Sequence, residues 1–165
     1  MSLNPESRAL DPERIMEILA IHGGLFASAF LAATLLPGSS EALLAGLVIT
    51  GQEKPWGNPW LLLATATIGN VLGSVVNWIC GRFLARFRDR RWFPISARRY
   101  DQAVGWFERF GLWSLLFAWA PIIGDPLTVI AGALRTPLPV FILLVTIGKL
   151  ARYLFVLAAA LAWIG

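Results

Sequence analysis

Polar side chains fall along this chain in blocks, and the apolar gaps between the blocks are long. Residues 23–52 hold one ionisable side chain, Glu41; residues 55–81 hold none; residues 112–134 hold one, Asp125. A helix needs about 20 apolar residues to cross ~30 Å of hydrocarbon at 1.5 Å per residue. Segments 59–81 and 139–164 run at that length and predict full spans. Two other apolar segments are interrupted. Segment 23–51 is broken by Pro37-Gly38-Ser39-Ser40-Glu41, leaving legs at 25–36 and 42–51. Each leg reaches only ~15–18 Å, about half the hydrocarbon thickness. Segment 112–134 is broken by Pro121-Ile122-Ile123-Gly124-Asp125-Pro126. Half-length legs around a break predict re-entrant hairpins, whose freed backbone groups must be satisfied by protein or a wet cavity. The competing arrangement is a long tilted helix kinked at each proline.

Two stretches show helical amphipathicity. Asp11-Pro12 suits a cap followed by proline in the first turn, and Ile15, Ile18, Leu19 and His22 then share a face. Residues 1–22 are therefore expected to form an interfacial segment lying on the membrane. Residues 98–110 predict a second surface helix, with Ala103, Val104 and Phe107 opposite Asp101, Gln102, Glu108 and Arg109. Between spans, seven arginines fall within 82–99, opposed only by Asp89. Directly after an apolar segment, such a block reads as a positive-inside loop near anionic headgroups.

The two halves resemble each other. In both, a proline precedes an acid by four residues (Pro37 and Glu41; Pro121 and Asp125), and an Ala-Gly pair closes the motif. Downstream, Thr67-Ile68-Gly69-Asn70-Val71 matches Thr146-Ile147-Gly148-Lys149-Leu150. A hairpin makes no net crossing and a span makes one, so the second half must sit upside down relative to the first. The expected fold class is an all-α integral membrane protein, an inverted repeat of re-entrant hairpin plus transmembrane helix with amphipathic surface helices. Its membrane domain covers 23–165: repeat 1 over about 23–81, the arginine-rich loop and surface helix over 82–111, repeat 2 over about 112–165.

Composition agrees with this. Of 165 residues, 57% are apolar and only 15% charged, against about a quarter charged in ordinary soluble domains. The net charge of +4 is too localised to suggest nucleic-acid binding. The lone Cys80 and lone His22 exclude an internal disulfide and any multi-cysteine or multi-histidine metal centre, so no metal or cofactor is expected. No cleavable leader is expected either, since the first 20 residues mix four acids with two arginines.

Several residues carry candidate chemistry. A carboxylate in hydrocarbon is costly, so Glu41 and Asp125 must pair, line water, or stay protonated; they read either as proton-coupling acids or as caps of half-helix N-termini. Lys149 and Arg152 lie one turn apart inside a span, fit either to hold a phosphate headgroup or to neutralise the two acids. Arg135 follows the second hairpin, as a substrate contact or an interfacial lipid anchor. Gly69 and Gly73 have the small-xxx-small spacing of close helix packing, and Asn70 and Asn77 the polarity of interhelical hydrogen bonding. Pro37, Gly38, Pro121, Gly124 and Pro126 make the breaks.

These motifs together resemble the DedA family of bacterial inner-membrane proteins, which share the VTT (SNARE-associated Golgi protein) domain, and in particular its short YqaA-like branch. The carrying residues are Leu36-Pro37-Gly38-Ser39-Ser40-Glu41, Gly69-Asn70-Val71-Leu72-Gly73, Trp119-Ala120-Pro121-Ile122-Ile123-Gly124-Asp125, Ala131-Gly132-Ala133-Leu134-Arg135 and Ile147-Gly148-Lys149-Leu150-Ala151-Arg152-Tyr153. The resemblance covers about 25–160. It implies opposed hairpins, a multi-pass inner-membrane location, and handling of undecaprenyl phosphate or phospholipid linked to the proton motive force, with Glu41 and Arg135 at positions that matter. The main branch has arginines around its second hairpin proline where this chain has Ala118 to Gly124. The expected function is a transporter or flippase of an anionic lipid, with membrane lipids as partners and homo-oligomerisation left open. The alternatives are a small-ion or small-solute transporter, or a non-transport assembly or lipid-organising protein. No Ser/His/Asp set, HExxH or Gly-rich phosphate loop suggests an enzyme.

Overall fold

The computed structural model describes residues 11–33, 39–84, 96–120 and 123–165. Among the described residues the regular elements are all helical. They are α1 (Pro12–Ala32), α2 (Ser39–Thr50), α3 (Pro59–Leu84), α4 (Ala97–Phe110), a 3-10 segment (Gly111–Phe117), α5 (Gly124–Ala133) and α6 (Leu138–Ile164). Pro37, Gly38, Pro121 and most of the arginine-rich loop lie outside the described residues.

Three helices are long and apolar enough to cross a membrane: α1, α3 and α6. The presence of α1 in this set corrects the sequence reading. The amphipathic stretch expected to lie on the surface up to His22 and the short apolar leg expected from residue 25 are one continuous helix. It starts where expected, with Asp11 accepting from the Glu13 amide at 3.2 Å and Pro12 in the first turn. It does not stop at Gly23-Gly24, because two glycines weaken a helix by only about 1 kcal/mol each and the half that follows them is anchored by buried Leu25, Ala29 and Ala32. By contrast α2 has 12 residues and α5 has 10, lengths of about 18 and 15 Å. The first leg before α5 is shorter still, a 3-10 segment rather than an α-helix.

Two registers organise the bundle. α1 and α3 run side by side in the same direction: His22 Nδ1 meets Thr65 Oγ1 at 2.9 Å, and Asn77 Nδ2 donates to the Ala33 carbonyl at 2.8 Å. Between those bonds, a Cβ on Gly69 would sit 2.6 Å from the Phe26 carbonyl oxygen, and one on Gly73 2.5 Å from that of Phe30. Glycine is what allows the two backbones to touch. α3 and α6 run antiparallel: Trp78 packs on Phe141 with ring centroids 6.3 Å apart, and one stretch nearer the middle Asn70 meets Lys149.

The short helices cross over. α2 packs on α6, the long helix of the other half, and α5 packs on α3. The α3–α5 crossing is the tightest, since a Cβ on Gly81 or Gly132 would fall 1.9 Å from the Val129 or Trp78 carbonyl oxygen. Meanwhile Trp56, just beyond α2, donates to Glu17 Oε1 near the start of α1 at 2.9 Å. The end of α2 and the start of α1 therefore lie together beside the beginning of α3.

An amphipathic helix is present over the expected residues. α4 buries Ala103 against Leu127 and Ile130 of α5, with Val104 and Phe107 partly buried beside them, and exposes Asp101, Gln102, Glu108 and Arg109. Gly111, at φ 57°, ends it in a conformation that favours glycine.

Candidate functional site

Both short helices begin with an acid in the first turn, Glu41 in α2 and Asp125 in α5. Backbone amides at a helix start are unpaired and carry partial positive charge, so a carboxylate is favoured there even at depth. Gly124 permits the tight approach that starts α5: a Cβ there would lie 2.2 Å from the Ala118 carbonyl oxygen. Pro126 falls in the first turn of α5, where its missing N–H goes unneeded.

The crossing of the halves brings these two starts to one chamber. It is lined by Glu41, Asp125, Asn70, Lys149, Arg152 and Tyr153, and closed by Ala32, Ala33 and the backbone around Ala118–Ala120. Two acids and two bases share it, so full ionisation leaves it formally neutral. Arg152 Nη2 pairs with Glu41 Oε1 at 3.1 Å, while its Nη1 donates to the Trp119 carbonyl at 2.6 Å. Glu41 Oε2 is buried with no hydrogen-bond partner among the described residues. Asp125 lines the chamber without a direct ion pair among the described residues, in the field of Lys149 and Arg152.

Lys149 is buried, and its ammonium donates to the side-chain oxygen of Asn70 and, at 3.3 Å, to that residue's carbonyl. The Asn70 amide nitrogen donates to the Ala29 carbonyl and to the Tyr153 hydroxyl, both at 3.0 Å. That hydroxyl lies 2.8 Å from Ser40 Oγ. A continuous polar chain thus links Ser40, beside Glu41, to Tyr153, Asn70 and Lys149. Asn70 uses both donors of its amide, and its side-chain oxygen accepts from Lys149, in doing so. The chamber has about 20 Å³ of free space, enough for one water molecule.

The structure brings Glu41, Asp125, Lys149 and Arg152 together, and Asn70 with them. Arg135 is not among them. It is exposed just past α5, at φ 60°, away from the chamber. Asn77, Gly69 and Gly73 stand along the α1–α3 seam rather than in the chamber, with Asn77 holding one of the carbonyls that the end of α1 leaves free.

Sequence reasoning gave no site or packing role to Ser40, Tyr153, Trp119, Gly81 and Gly132, although all but Gly81 stand in the motifs that carry the family resemblance. A tyrosine one residue past Arg152 is an ordinary apolar-face residue until its hydroxyl partner is known. Gly81 and Gly132 lie 51 positions apart, and only the fold shows that they face each other.

A set of spanning helices with short helices meeting at an internal charged chamber defines a multi-pass helical membrane protein. The VTT domain model matches residues 36–160. The chain is 42% identical to the inner membrane protein YqaA of Escherichia coli (strain K12) over 135 residues, 82% of this chain and 87% of that protein. The same figures hold for inner membrane protein YqaA of Shigella flexneri, and a protein of Haemophilus influenzae is 33% identical over 138 residues, 81% of this chain and 83% of that one. No solved structure matches. This chain belongs to the VTT-domain (DedA) family, as a multi-pass protein of the bacterial inner membrane.

Proposed function

We propose that the protein moves an anionic lipid, a phospholipid or polyprenyl phosphate, across the inner membrane, with Glu41 and Asp125 taking up and releasing protons. The observation that carries this reading is the convergence of two carboxylates and two cations on one internal chamber between the halves. Ionisable groups at depth are expensive and mark substrate or proton pathways, and transporters place such sites where discontinuous helices meet. In this reading α1–α2 and the 3-10 segment–α5 are re-entrant hairpins of an inverted repeat. The shared position of the end of α2 and the start of α1 supports it. So does Ser40, at the start of α2, reaching Tyr153 near the middle of α6.

Arg152 and Lys149 meet the phosphate, Arg152 through its planar fork. A phosphate arriving at Arg152 displaces Glu41, whose carboxylate is then neutralised by a proton. That Glu41 Oε2 is buried without a hydrogen-bond partner among the described residues supports its taking this proton. Arg135, exposed beyond α5, holds the headgroup at the surface before it enters.

Reconstitution into liposomes with labelled phosphatidylglycerol or polyprenyl phosphate tests this, comparing wild type with Glu41→Gln and Asp125→Asn. Both variants are expected to lose translocation; equal rates in all three would remove the acids from the mechanism. One observation favours a second reading. A chamber with room for a single water suits a small cation or proton better than a headgroup. Ion flux without lipid movement in the same liposomes would select it.

A further inference from the structure

A second cavity shares a wall with the chamber. It is an open groove of about 430 Å³ on the outer face of α6, lined by Trp119, Gly148, Ala151, Arg152 and Phe155. Apart from Arg152 its lining is apolar, and it faces outward: Phe155 is 76% exposed and Trp119 42%. Trp119 and Arg152 line both cavities. The 2.6 Å bond from the Arg152 guanidinium to the Trp119 carbonyl is the seam between them.

We propose that this groove is a lateral port in which an acyl chain of an anionic phospholipid lies along α6 while its phosphate reaches Arg152 from the membrane side. Three observations carry it. The groove lies at the middle of α6, on the exposed side of a helix long and apolar enough to cross a membrane, and a void against hydrocarbon there would forfeit dispersion contacts unless a lipid chain filled it. Phospholipid acyl chains are what surrounds a bilayer protein. The one charged group at the inner end of the groove is a guanidinium, the complement of a phosphate and not of a cationic or neutral headgroup. Finally, the volumes differ in the right sense: the groove is wide enough for chain atoms while the chamber admits one water, so the tail stays outside as the headgroup passes.

Gly148 makes the port. A Cβ there would meet the Leu116 carbonyl oxygen at 2.5 Å, so glycine lets the 3-10 segment lie directly on α6 at the edge of the groove. Breaking the Arg152–Trp119 bond moves one side chain away from one carbonyl and joins groove to chamber.

The port deepens the lipid-transport reading but is testable apart from it. The intact protein is reconstituted in phosphatidylethanolamine vesicles carrying phosphatidylglycerol with a diazirine near mid-chain, irradiated, and the labelled peptides are mapped. Enrichment of label on Trp119, Ala151 and Phe155 over the lipid-facing residues of α1 and α3 is expected, together with loss of that enrichment when unlabelled phosphatidylglycerol competes. Ala151→Trp, which fills the groove from an exposed position, is expected to abolish the enrichment and slow translocation. Label spread evenly over all lipid-facing helices overturns the port, as does competition by neutral lipid alone, or a cross-linked second copy of this chain seated in the groove. Enrichment without translocation by any form of the protein leaves the port and removes the transport reading. Wild-type translocation by a folded Ala151→Trp does the reverse.

Discussion

Lys149 and Asn70 hold corresponding places in the two halves, each the residue after a Thr-Ile-Gly, and the ammonium of one is bonded to the amide oxygen of the other. The antiparallel register of α3 and α6, with Trp78 against Phe141, brings these two residues together. The neighbouring glycines behave alike: Gly69 lets Phe26 of the first half approach, and Gly148 lets Leu116 of the second. The Lys149–Asn70 pair thus joins α6 to α3 and lines the chamber.

Removing the acceptor and removing the charge should differ sharply. Asn70→Leu strands a buried ammonium and is expected to destabilise by about 3–5 kcal/mol. Lys149→Met keeps the length without the charge and is expected to be near neutral. Thermal unfolding in detergent distinguishes them, and equal losses would mean that Asn70 does not carry the lysine.

The glycines should rank by what a methyl group would meet. Gly81→Ala and Gly132→Ala thrust a carbon onto backbone carbonyls at the α3–α5 crossing and are expected to cost about 3 kcal/mol or more. Gly69→Ala and Gly73→Ala meet oxygens at 2.5–2.6 Å and should cost less. Gly46→Ala, with open space in mid-helix, should stabilise by up to ~1 kcal/mol. Graded denaturation of the five proteins gives the order directly.

Tyr153 and Ser40 tie α2 to α6 through a 2.8 Å contact. A double-mutant cycle of Tyr153→Phe with Ser40→Ala should return a coupling of about 0.6–1.7 kcal/mol, the range for buried hydrogen bonds between membrane helices. A coupling of zero would show that the two hydroxyls do not hold each other in the membrane.

For Glu41 and Arg152, loss of one partner should be worse for stability than loss of both. Arg152→Met leaves a carboxylate in a low-dielectric chamber and is expected to cost about 2 kcal/mol, less than a fully buried pair because both side chains keep some exposure. Adding Glu41→Gln should return most of that stability without restoring translocation, as read by unfolding and by the liposome assay on the same preparations.

The hairpin reading has its own check. In a Cys80→Ser background, cysteines at Asp11 and Gln52 should react with an impermeant maleimide from one side of the membrane, and a cysteine at Arg98 from the other. Labelling of Asp11 and Gln52 from opposite sides would make α1–α2 a kinked full span.

The legible part of this architecture was what polarity alone can encode. An absence of charge over 55–81 fits only a span, and the amphipathic stripe of 98–110 fits only a surface helix, because water and hydrocarbon sort side chains locally. The extent of α1 was not legible. Mixed polarity up to His22 gives no sign that the helix runs on through Gly23-Gly24 to Ala32; contacts with α3 at Thr65, Gly69 and Gly73 accompany that continuation. Arg135, close in sequence to the second hairpin, lies away from the chamber because the chain turns outward after α5.

The chain by itself determined the long apolar segments, the isolation of Glu41 and Asp125 within two of them, and the likeness of the two motifs, since each depends on residue type and spacing along one segment. Only the tertiary structure decided which cation faces which acid, that Ser40, Tyr153, Asn70 and Lys149 form one polar chain, and that a groove and a chamber share Arg152. Those relations join residues tens of positions apart, and they exist because glycines let backbones touch at distances no local pattern specifies.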